Sequence, residues 1–77
     1  MNSVFILYNG IGDGEYIISV HKSLEDGKVA GDEYLKNIKK EYMRIEEWEF
    51  DNKSLVSFWD KAHYDFDPKH SYDWRKV

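Results

Sequence analysis

The chain has 77 residues, a formal net charge of −4, no cysteine, and Phe, Trp and Tyr at 17% of positions. A chain of this length buries only roughly 60% of the surface that its unfolded form exposes, and the lack of cysteine excludes disulfides and thiolate metal clusters as staples. The negative charge argues against direct nucleic-acid binding, which leaves a basic footprint, and no apolar run approaches the ~18 residues of a membrane span.

In chain order, Ser3-Val4-Phe5-Ile6-Leu7-Tyr8 and Glu15-Tyr16-Ile17-Ile18-Ser19-Val20 are β-prone runs on either side of a loop holding Gly10, Gly12 and Gly14. They predict an antiparallel hairpin over residues 4–20. Both runs are apolar at nearly consecutive positions, so the hairpin is expected to be covered on at least one face and crowded on the other. Ser23 then caps a helix, with Glu25 and Asp26 near its positive end and Lys36, Lys39 and Lys40 near its negative end, so it is expected to run to about residue 40. Its inner stripe is Leu24, Gly27, Gly31, Tyr34 or Leu35, and Ile38. A glycine inside a helix costs about 1 kcal/mol relative to alanine, and two of them on one stripe imply a helix backbone lying close to the hairpin.

Residues 42–50 predict a third strand. Met43 and Ile45 share one parity while Trp48 and Phe50 share the other, which implies a bulge near Glu46-Glu47 or a strand covered on both sides. After a turn at Asp51-Asn52-Lys53-Ser54, the residues Leu55, Phe58, Trp59 and Ala62 follow the i, i+3, i+4, i+7 spacing of a second helix, ending before Pro68. Residues 69–77 have no period and are expected to be loose, or to dock through Tyr72 and Trp74. The expected fold is α+β in one domain over residues 1–77: an N-terminal hairpin, a helix packed on the sheet, a third antiparallel strand and a C-terminal helix, ββαβα.

The series Val-Phe-Ile-Leu-Tyr, a Gly-Asp turn, Tyr-Ile-Ile-Ser-Val, Ser-Leu-Glu-Asp-Gly and Arg-Ile-Glu-Glu-Trp-Glu-Phe-Asp resembles the small ββαβ domains of unknown function found in phage and bacterial genomes. The likeness covers residues 4–51. It implies a phage-borne accessory protein that acts by binding, and it supplies no catalytic residues.

Four groups of residues could carry chemistry. His63, Asp65, Asp67 and His70 have the imidazole and carboxylate donors that suit zinc, manganese or iron, although Asp-rich runs before a proline are commonly solvated turns. Gly10, Gly12 and Gly14 could offer amides to a phosphate, but the dinucleotide fingerprint needs a helix next, and here a strand follows. Glu46, Glu47 and Glu49 could act as paired carboxylates; a charged strand face that discourages edge pairing is the simpler reading. The fourth group is a recognition surface of Glu46, Glu47, Trp48, Glu49, Tyr64, Tyr72 and Trp74, because Trp and Tyr within a polar rim are the residues of binding hot spots.

No serine has a histidine–acid pattern near it, and no enzyme or cofactor is expected. The leading expectation is a non-catalytic module that binds a larger protein, as a phage inhibitor of a host protein would. A small-ligand or nucleotide binder is the alternative, and a metal-dependent enzyme built on the His63 and His70 cluster comes third. A polar residue follows Met1 rather than a charged and then apolar leader, so the cytoplasm, or the host cytoplasm for a phage protein, is the expected location. A homodimer is favoured because a short three-stranded sheet has exposed edges.

Overall fold

The computed structural model describes residues 2–10, 16–36, 40–51, 53–64 and 67–77, with residues 40 and 41 described by backbone alone. Five strands form one antiparallel sheet: β1 (Ser3–Asn9), β2 (Tyr16–His21), β3 (Lys40–Glu49), β4 (Ser54–Tyr64) and β5 (Tyr72–Lys76), in the spatial order β2-β1-β3-β4-β5. One helix, α1 (Leu24–Leu35), lies across one face, and a 3₁₀ turn at Pro68–His70 precedes β5.

The N-terminal part follows from local signals. β1 and β2 pair antiparallel, and Gly10 begins the connection at φ 80°, a conformation that costs glycine little. The loop beyond Gly10, with Gly12 and Gly14, lies outside the described residues. The Ser23 hydroxyl accepts from the Asp26 N–H and opens α1. The helix closes at Leu35, shorter than the predicted run to residue 40, and Lys40 begins β3 instead of ending the helix. Gly27, Gly31 and Leu35 form its buried stripe, and Ile38 lies outside the described residues.

The C-terminal third corrects the expected ββαβα order, for among the described residues it holds no α-helix. The Leu55, Phe58, Trp59 and Ala62 stripe belongs to an 11-residue strand, β4. The helical spacing has two physical sources. Both faces of β4 carry large side chains, Trp59 towards α1 and Phe58 away from it, so the strand does not alternate cleanly. The register also slips from Glu47↔Ser57 to Trp48↔Leu55, so Val56 is the extra residue and Leu55 falls on the Phe58 face. The sequence predicts a bulge on β3 near Glu46-Glu47 or a strand covered on both sides; β3 instead alternates regularly against β1, and the inserted residue sits on β4. The tail is likewise ordered: residues 72–76 form β5, which pairs with β4.

The core lies between α1 and the sheet. Leu7, Met43 and Ile45 are fully buried, with Leu35 nearly so, and Phe5, Ile18, Leu24, Ala30, Tyr34, Trp59 and Trp74 pack around them. A second slip, on β5, places both Asp73 and Trp74 opposite Lys61 on the helix side. The Trp74 indole can then lie against Gly31 while its Nε1 donates to Asp32 at 3.0 Å. Lys61 Nζ sits 2.8 Å from Asp32 and 3.2 Å from Asp73. Burial works against its charge, but these hydrogen bonds hold the ammonium pKa above its ordinary value.

Candidate protein-binding face

Strand parity divides the sheet into a helix-covered face and a second face that no described element covers. The rows of the second face follow from the registers. Val4 stands beside Trp48 and Leu55; Val20 beside Ile6, Glu46 and Phe58; Ile17 beside Tyr8, Arg44 and Asp60; Tyr42 beside Ala62 and Tyr72. Aromatic and aliphatic groups therefore occupy most positions, and the charged groups among them are neutralised locally.

Two polar centres hold this face together. At the first, Arg44 Nη2 lies 2.9 Å from Glu46 Oε2, Trp48 Nε1 donates to Glu46 Oε1 at 2.9 Å, and the guanidinium sits 5.0 Å from the Tyr8 ring centroid. The Glu46 side chain is only 12% exposed. At the second, the buried Asp60 carboxylate accepts from the Tyr42 hydroxyl at 2.9 Å and from Arg75 Nε at 2.8 Å. The Arg75 guanidinium stacks 3.8 Å from the Tyr72 ring centroid.

Burial, followed by the Asp60 carboxylate, pushes the phenol pKa of both Tyr42 and Tyr72 above the ordinary 10.0. A phenol whose folded pKa is raised contributes stability that is complete below its unfolded pKa and is lost as pH rises through the folded one. Stability is therefore expected to fall as pH climbs above about 10. In chemical denaturation at stepped alkaline pH, Tyr42→Phe should flatten that fall, and an unchanged slope would refute the assignment.

The residues proposed from sequence are divided by the strand parity. Glu46 and Trp48 lie on the uncovered face, joined by a hydrogen bond, and Tyr72 lies there two strands away. Glu47 is on the helix side, where it accepts from the Ser57 hydroxyl at 3.1 Å. Glu49 shares the parity of Glu47, so the acidic residues of β3 form no single surface. Trp74 packs on α1. Tyr64 ends β4, its N–H bonded to the Ser71 hydroxyl. The uncovered face also holds Ile6, Tyr8, Tyr42, Arg44 and Phe58, none of which the sequence marks as a binding residue; the nearly continuous apolar character of β1 signals Ile6 and Tyr8 alone.

Of the metal-like cluster, His63 lies in β4 opposite Glu41, whereas Asp67 and His70 form their own pair at 2.6 Å in the 3₁₀ turn. Asp65 lies outside the described residues. Among the described residues no three His, Asp or Glu side chains converge as a metal site. Among the described residues no helix is long and apolar enough to cross a membrane.

In comparisons with known proteins the chain matches no family model, no curated protein and no solved structure.

Proposed function

We propose that this chain is a non-catalytic protein-binding module that docks on a larger protein through the uncovered face of its sheet. The observation that carries the reading is the cluster of Tyr8, Trp48 and Phe58 around the internally paired Arg44 and Glu46. Aromatic residues and arginine dominate binding hot spots, and interface centres are depleted of net charge. A face that neutralises its own charges needs no counter-charge from a partner, so apolar burial would drive association. In the phage setting implied by the resemblance of residues 4–51, occupying a host protein's surface would make the module an inhibitor.

The test is cross-linked capture from host lysate with the wild-type chain tagged at either end, alongside Trp48→Ala, Leu55→Asp and a control, Val29→Asp. Leu55 and Val29 are 43% and 61% exposed, so neither substitution burdens the core. A specific partner should be held by the wild type and by Val29→Asp, and lost from Leu55→Asp and Trp48→Ala. Recovery of no specific partner, or equal retention by all variants, refutes the reading.

A further inference from the structure

We infer that two copies of this chain pair antiparallel through β2, about a two-fold axis passing between Ile18 and Ser19, so that their sheets join edge to edge. Three observations support it, and none depends on the face proposed above for a protein partner.

The first is position. Among the described residues the sheet order leaves β2 at an edge, bonded to β1 on one side. The second is chemistry. Natural edge strands are usually protected by charge, proline or shortness, but Tyr16-Ile17-Ile18-Ser19-Val20-His21 carries no lysine, arginine, aspartate or glutamate. Tyr16, Ile17 and Val20 are all more than half exposed. The opposite edge, β5, carries Asp73, Arg75 and Lys76. A chain of net charge −4 repels a second copy overall; an uncharged strand brings two copies together without placing like charges opposite one another.

The third observation is register, and it selects a second copy over an arbitrary strand. The β1–β2 pairing slips between Leu7↔Ser19 and Tyr8↔Ile17, leaving Ile18 as the inserted residue. Ile18 packs against the core and Ser19 opposes Leu7, so both face the helix side. Tyr16 and His21 also lie on the helix side, opposite Asn9 and Phe5, while Ile17 and Val20 lie on the uncovered side. The six residues therefore read helix, open, helix, helix, open, helix, the same in both directions. An alternating strand of six could not match faces over its full length about a central two-fold, because the side-chain period is two. With the bulge, Ile17 meets Val20 of the second copy and Tyr16 meets His21, each on its own face. Both helices then lie on one side of the joined sheet and both uncovered faces on the other.

A six-residue strand contact is small beside the roughly 1,200–2,000 Å² of standard interfaces, so the dimer is expected to be concentration-dependent, not obligate. Sedimentation velocity over a wide concentration range should show the wild-type chain passing from monomer to dimer. Ile17→Lys and Val20→Glu should each weaken association by roughly tenfold or more, through an unmatched charge in the contact. The double variant should regain association, because each new ammonium then stands opposite a new carboxylate across the axis. Val29→Lys, on the exposed side of α1, should change nothing. A wild-type chain that stays monomeric throughout overturns the inference. So does a double variant that associates no better than the singles, with circular dichroism showing each variant folded. Ile17 and Val20 border the uncovered face, but sedimentation of the isolated chain involves no other protein, so failure of this inference is read separately from failure of the binding reading.

Discussion

Gly31→Val is expected to destabilise the chain by about 2–4 kcal/mol, as overpacking against a rigid ring combined with loss of a hydrogen bond. A Cβ at position 31 would stand 2.6 Å from Trp74 Cζ2, 3.1 Å from Cη2 and 3.4 Å from Leu7 Cδ1. Carbon atoms do not approach to 2.6 Å, and the indole cannot flex as an aliphatic chain does. The ring must swing out or β5 must withdraw, and either movement breaks the 3.0 Å bond from Trp74 Nε1 to Asp32. For a domain of this size the loss corresponds to a fall in the thermal midpoint of roughly 10 °C or more. Gly27 provides the internal contrast. A Cβ there would meet only Ile45, 3.3 Å from Cδ1 and 3.7 Å from Cγ2, so an aliphatic chain has to yield by a fraction of what the indole would. Gly27→Ala should therefore be close to neutral, since alanine also gains about 1 kcal/mol in helix propensity. A double-mutant cycle isolates the cause: Gly31→Ala should destabilise when Trp74 is present and stabilise in a Trp74→Ala background. The same sign in both backgrounds would show that the indole is not what requires the glycine.

Asp60→Ala is expected to cost about 2–4 kcal/mol, because it withdraws the acceptor shared by two donors on different strands. Asp60 is 5% exposed and joins Tyr42 of β3 to Arg75 of β5. Without the carboxylate the Tyr42 hydroxyl loses a buried acceptor, and the Arg75 guanidinium loses what holds it over Tyr72. Asp60→Asn should be intermediate, since the amide presents an acceptor to one donor and its NH₂ to the other. Arg75→Ala should cost least, because that side chain is 58% exposed and its ion pair is screened by solvent. Urea denaturation of the three variants checks the order, and a cost below about 1 kcal/mol for Asp60→Ala would mean that the network adds nothing to stability.

Much of the N-terminal half was legible because its signals are local. The β-prone runs around a glycine loop, the Ser23 cap followed by Glu25 and Asp26, and the paired glycines facing inward each lie within one short stretch of chain. β4 was not legible for the opposite reason. Its side chains are large on both faces and its register contains an insertion, and together these reproduce a helical spacing without a helix. The candidate face was legible only in part. Trp48 and Glu46 stood out as an aromatic residue among acids, whereas Tyr8, Phe58 and Arg44 looked like ordinary core and solvent positions, because strand order alone puts them side by side.

By itself, then, the sequence determined where the first two strands and the helix begin, and that Gly27 and Gly31 face inward. The tertiary structure decided which strand takes the extra residue at each slip. That choice has large consequences, since one residue of shift sends every later side chain to the other face. It places Leu55 with Phe58, turns Trp74 onto the helix, and makes β2 read alike in both directions. Such choices depend on pairing energy summed across neighbouring strands, and pairing between distant segments leaves no mark on the spacing within either one.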